Sequence, residues 1–154
     1  MAARMRSVKQ DKSKPFLKWA SAILAVLGAA DAIYLLVLKY TQLEAMCVGS
    51  HGCITVNSSP YAIIYGIPVA AYGIAAYLVI LALLLLETRL KLARENGPLA
   101  VFGISLAGVA FSAYLTYLEF AVIRAFCPFC VTSAVIITLI FILAIIRLVK
   151  LIAF

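Results

Sequence analysis

The chain has 154 residues, of which 66% are hydrophobic and 12% charged, and its mean hydropathy is +1.14. Soluble domains are about 45–50% apolar and about 25% charged, so an ordinary soluble globule and a disordered tail are both excluded. The formal charge of +7 does not point to nucleic acid, because such binding needs a basic face on a fold, and here Lys and Arg sit in three short blocks between apolar runs.

Residues 1–15 are polar and basic, with Arg4, Arg6, Lys9, Lys12 and Lys14, and predict a cytoplasmic tail. Pro15 opens an apolar run over 16–39. A helix crosses the hydrocarbon core with roughly 20 apolar residues, and a cleavable signal peptide has an apolar part of only about 7–15. The run therefore predicts an uncleaved first span. Residues 40–60 form a polar loop carrying Cys47, His51 and Cys53. Gly66 and Pro68 interrupt the next apolar stretch early, which predicts a short interfacial helix over 58–65 and a second span over 68–86. Residues 87–98 read as a polar basic loop closed by Asn96, Gly97 and Pro98. The third span is expected over 99–123 and the fourth over 127–149, leaving 150–154 as a second tail.

The expected fold is an all-α integral membrane protein, a four-transmembrane-helix bundle with a short interfacial helix in its first outer loop. A single domain over 16–149 leaves no room for a second of about 100 residues. Eleven Lys and Arg residues fall on the side of the termini and the 87–98 loop, against Lys39 and Arg124 on the other. Short loops rich in Lys and Arg stay cytoplasmic, so all four cysteines are expected on the extracytoplasmic face.

Cys127-Pro128-Phe129-Cys130 is a C-x-x-C motif opening a helix. Its thiols lie about a turn apart on one face, and the positive helix end favours a thiolate at Cys127. Cys47 and Cys53 lie in a loop with Gly49 and Gly52 between them, whose flexibility suits closing a ring or swapping partners. Three readings are open at this point. The cysteines could be two inert staples, although C-x-x-C disulfides are strained. They could form a soft-metal site with His51, although an oxidising face disfavours free thiolates. They could be two dithiol pairs in redox relay, which the motif favours.

Cys47 and Cys53, then Ser58-Ser59-Pro60-Tyr61, Gly66-Ile67-Pro68, the stretch Tyr114 to Glu119, and finally the CPFC motif occur in an order that resembles the vitamin K epoxide reductase family. The resemblance covers about residues 16–149 and looks like a prokaryotic-type member without a fused thioredoxin-like domain. It implies a bundle around a quinone (ubiquinone, menaquinone or similar) and a quinone-dependent thiol oxidase. Cys127 and Cys130 would be the quinone-side pair, Cys47 and Cys53 the shuttle pair, and Ser59 a residue near the quinone. The partner implied is a separate thioredoxin-fold, DsbA-like protein, with a monomeric chain, no resident metal and no nucleic acid. Ala134 stands where vertebrate members have a tyrosine, which favours plain quinone over epoxide. The alternatives are a DsbB-like oxidase of another fold, whose cysteine pairs come in the reverse order, and a Cys/His metal carrier.

Asp31 lies about 12 Å of helix rise from the outer end of the first span. A charge at that depth marks function by default, here proton delivery, against the alternative of a bundle-facing hydrogen bond. Glu119 and Arg124 are expected at the interface, and an aromatic belt accounts for most tyrosines.

Overall fold

A computed structural model describes residues 13–41 and 52–153. Among the described residues, four helices are long and apolar enough to cross a membrane. Helix α1 spans Ser13–Thr41, with Pro15 in its first turn, where a missing amide N–H costs nothing. A short helix α2, Gly52–Asn57, follows. Then come a 3-10 turn at Pro60–Ala62 and a two-stranded hairpin, β1 Ile63–Ile64 and β2 Ile67–Pro68. Helices α3, Val69–Leu86, and α4, Lys91–Tyr117, make the second and third spans. Helix α4 runs on into a π-helical turn at Leu118–Ile123, and α5, Pro128–Ala153, completes the bundle.

Two boundaries differ from the sequence expectation. The interfacial helix comes earlier, at 52–57, and most of 58–65 is the 3-10 turn and the start of the hairpin. Tyr65 (φ 53) and Gly66 (φ 79) both have positive φ, the signature of a tight primed hairpin turn that a helical reading overlooks. The third span begins at Lys91 rather than Leu99, with Pro98 inside it. Lys91 to Glu95 are nearly all good helix formers. Gly97 and Pro98 are buried rather than looped out, and Gly97 lies against the side chain of Glu87, so packing overrides the local turn signal.

Helix α1 packs on α3 and α5, α4 packs on α5, and α3 meets α4 more lightly. Ala25, Ala29 and Ala32 of α1 sit in the main core with Tyr77, Ile80 and Leu84 of α3 and with Ile137 and Ile140 of α5. Small residues let the backbones approach, as lipid-embedded helices require. At the end away from the cysteines, Arg147 on α5 donates to Glu87 at the end of α3 at 2.6 Å. The outward faces carry exposed large apolar side chains, the surface a bilayer solvates.

Candidate active site

Cys127 stands one residue before α5, and Pro128 occupies the first helical position. The Cys127 sulfur accepts the backbone N–H of Cys130 at 3.4 Å, the bond an N-capping side chain makes to the third amide of its helix. It also accepts the Cys130 thiol, with the sulfurs 2.7 Å apart. Both cysteines are free. The Cys127 thiol is held below its ordinary pKa, chiefly by the hydrogen bond from the Cys130 thiol; burial opposes this, and the Cys130 and Phe129 amides reinforce it. With the Cys130 thiol as donor, Cys127 has the thiolate character of a nucleophile.

Cys53 packs beside Cys127 in one buried cluster with Leu35 and Leu38 of α1. It is disulfide-bonded, and its partner lies outside the described residues, as do Cys47 and His51. Gly52 brings Cys53 up to the turn that carries Cys127. A Cβ built there would stand 1.8 Å from the Phe126 carbonyl oxygen, so α2 starts directly on the backbone of the turn that precedes Cys127. The expectation that this glycine gives the loop flexibility is thus corrected: its role is close approach. Lys39 anchors the other end of α2, donating to the Asn57 carbonyl at 2.6 Å.

Glu119 departs most from expectation. It is 2% exposed, not interfacial, and its carboxylate accepts the backbone N–H of Cys127. The π-helical turn carries this change. A π turn is wider than an α turn and recurs at functional sites. Here it ends on Arg124 in the left-handed region, whose N–H returns to the Glu119 carbonyl. The chain reverses in a few residues and sets Cys127 over the Glu119 side chain.

A cavity of about 400 Å³ opens beside the pair, lined from all four spans and by the segment between α1 and α3. Cys130 lines it, whereas Cys53 and Cys127 do not. Its wall is mostly apolar, with polar groups from Asn57, Ser59, Glu119 and Ser133. Ser59 donates to the Val56 carbonyl at 2.7 Å, which commits its proton to the local turn. Asn57 is 8% exposed, and its Nδ2 is buried with no hydrogen-bond partner. An unpaired buried amide costs roughly 1–3 kcal/mol, so this donor is available to whatever fills the cavity. The Tyr72 hydroxyl donates to the Ile64 carbonyl at 3.2 Å, tying the hairpin to a cavity-lining residue of α3.

Residues 19–145 match the vitamin K epoxide reductase family. The chain belongs to that family. Membership makes it an integral membrane protein of the helical-bundle type and sets aside the DsbB-like alternative, which has a different fold and cysteine order. Among curated relatives, the thiol-disulfide oxidoreductase LTO1 of Arabidopsis thaliana is 38% identical over 89 residues, 54% of this chain and 24% of the plant protein. The match thus spans about a quarter of that relative's length.

Sequence reasoning missed Asn57 and the role of Glu119. Asn57 directly precedes Ser58-Ser59-Pro60, where an asparagine reads as a turn former. Glu119 sits at a helix end, where a carboxylate reads as solvated.

Proposed function

We propose that the chain is a quinone-dependent thiol oxidase working on the extracytoplasmic face of the membrane. The observation that carries this reading is the division of labour at the C-x-x-C motif: Cys127 is buried against Cys53, while Cys130 lines the cavity. The cavity suits a quinone. Its volume lies within the ~300–1,000 Å³ of small-molecule sites, its wall is apolar enough for a lipid-soluble ring, and the unpartnered Asn57 amide can donate to a ring carbonyl.

In this reading a thioredoxin-fold partner presents a dithiol, and its thiolate attacks the Cys47–Cys53 disulfide at Cys47. The partner leaves as a disulfide, and Cys47 and Cys53 become a dithiol. Cys53 then attacks Cys127 and expels the Cys130 thiol, and Cys47 attacks Cys53 of the resulting Cys53–Cys127 disulfide, which closes Cys47–Cys53 again and releases Cys127 reduced. A bound quinone supplies the acceptor for two electrons and two protons as Cys127–Cys130 reforms. Burial of Cys53 and Cys127 together excludes water and stray thiols from the middle exchange. The low Cys127 pKa makes Cys127 the better leaving thiolate. DsbA-type partners are strong oxidants, near about −120 mV, so their reoxidation needs an acceptor such as a quinone rather than a soluble thiol.

The test uses purified chain in lipid nanodiscs with added quinone and a reduced thioredoxin-fold protein. Wild type should form quinol and partner disulfide in equal amounts. Cys130→Ala should abolish quinol formation, and Cys53→Ala should trap the partner on Cys47. Quinol formation by Cys130→Ala at the wild-type rate would overturn the relay. An impermeant thiol reagent added to reduced intact cells should reach Cys47; labelling only after lysis would invert the orientation.

A further inference from the structure

A second group of polar side chains lies in the bundle behind Cys130. Tyr77 is 3% exposed, and its hydroxyl meets the Ser133 carbonyl and the Ser133 hydroxyl, each at 3.0 Å. Tyr77 and Ser133 both line the cavity, and Ser133 follows Cys130 by three residues, one turn along the same face. The Tyr77 ring sits in a notch at Gly28, where an added Cβ would come within 2.4 Å of it. Asp31 lies one turn from Gly28 on the same helix. Its Oδ2 is buried with no hydrogen-bond partner.

Proton accounting gives this arrangement a task. The reduced pair, with a thiolate at Cys127 and a thiol at Cys130, holds one proton. Converting a quinone to a quinol takes two electrons and two protons, so a second group must supply the other. Glu119 is engaged by the Cys127 amide. We propose that Asp31 is the proton store for this reaction, exchanging its proton with the cavity through the Tyr77 and Ser133 hydroxyls. This rests on the quinone-oxidase reading above.

The balance closes over a cycle. When the dithiol of Cys47 and Cys53 reduces the Cys127–Cys130 disulfide, its two protons go one to Cys130 and one to the Asp31 carboxylate. When the Cys127–Cys130 disulfide reforms, two electrons leave the sulfurs, and the Cys130 and Asp31 protons leave with them for the two quinone oxygens. Asp31 returns to a carboxylate, and the net charge of the site is −1 at both stages. Asp31 does not line the cavity, so it acts through the two hydroxyls, and its spare oxygen stays buried and unpaired.

Difference infrared spectroscopy on quinone-free protein in nanodiscs tests the store directly. Reducing the Cys127–Cys130 disulfide with dithiol should produce a protonated-carboxyl band that is absent in Asp31→Asn and retained in Glu119→Gln. With quinone present, Asp31→Asn and Tyr77→Phe should each slow quinol formation, on the order of a hundredfold for loss of a proton-transfer group. The Cys53-to-Cys127 exchange, which delivers a proton to Asp31, should slow in Asp31→Asn as well, and Asp31→Glu should restore most of both rates. Tyr77→Phe keeps the ring in its notch, so it separates lost proton transfer from lost packing. A carboxyl band that persists in Asp31→Asn, or wild-type quinol formation by both variants, overturns the proposal. Should wild-type protein form no quinol at all, the oxidase reading fails, while the infrared band still reports whether Asp31 takes a proton on reduction.

Discussion

At the scale of single residues, the chemistry rests on where one proton sits. The Cys127 sulfur accepts two hydrogen bonds from Cys130, one from its thiol and one from its amide. Both favour the thiolate, so its pKa lies below that of an ordinary thiol. As pH rises, the thiolate absorbance of Cys127 should therefore appear at a lower pH than that of a free cysteine. Cys130→Ala removes the larger of the two bonds and should move this midpoint upward, while Cys130→Ser, which keeps a donor, should move it less. Glu119 works at the same scale by holding the Cys127 amide. Glu119→Ala leaves that N–H buried and unpaired, a loss of about 1–3 kcal/mol measurable as a lower unfolding midpoint. Glu119→Gln retains an acceptor oxygen and should lose less.

At the scale of elements, α2 and the π-helical turn face each other across Gly52 and Phe126. Neither is long enough to be stable by itself, and the contact between them sets the approach of Cys53 to Cys127. Gly52→Ala places a methyl group where the Phe126 carbonyl now lies. Forced overpacking of this kind costs typically about 1–3 kcal/mol. The displaced α2 should also slow the Cys53-to-Cys127 exchange, followed by trapping the free thiols in a rapid-quench experiment. An unchanged exchange rate would mean that the glycine is dispensable. Such a contact cannot be read from the sequence, where a glycine between two cysteines in a polar loop looks the same whether it serves flexibility or close packing.

At the scale of the whole molecule, the two ends of the bundle do different work. The cysteine end holds a cavity and a short closing hairpin. The other end is tied by Glu87 and Arg147, whose side chains are 6% and 13% exposed. Removing one partner of a buried ion pair leaves an uncompensated charge, at a cost of roughly 3–5 kcal/mol, whereas replacing both by apolar residues is often neutral. Glu87→Met should thus lower thermal stability in detergent markedly, and the double variant with Arg147→Met should recover much of the loss. Both should keep the Cys127–Cys130 chemistry, because the pair lies at the opposite end.

The sequence by itself determined the class, the four spans, the family and the four cysteines. Each of these follows from local or additive properties: apolar run length, charge between the runs, and the spacing of a few residues along the chain. Tertiary structure decided what those properties cannot express. Pro98 stays inside a helix because Gly97 is packed on Glu87, and Glu119 turns inward because a π turn re-aims it. Asn57 is an orphaned donor only because the surrounding helices exclude water from it. Gly28, Tyr77 and Ser133 lie far apart in sequence and meet through packing, so no pattern in the chain marks them as one group. Long-range steric fit and the dielectric of a closed site arise only when the helices assemble, and those two quantities set the reactivity of Cys127 and the opening of the cavity at Cys130.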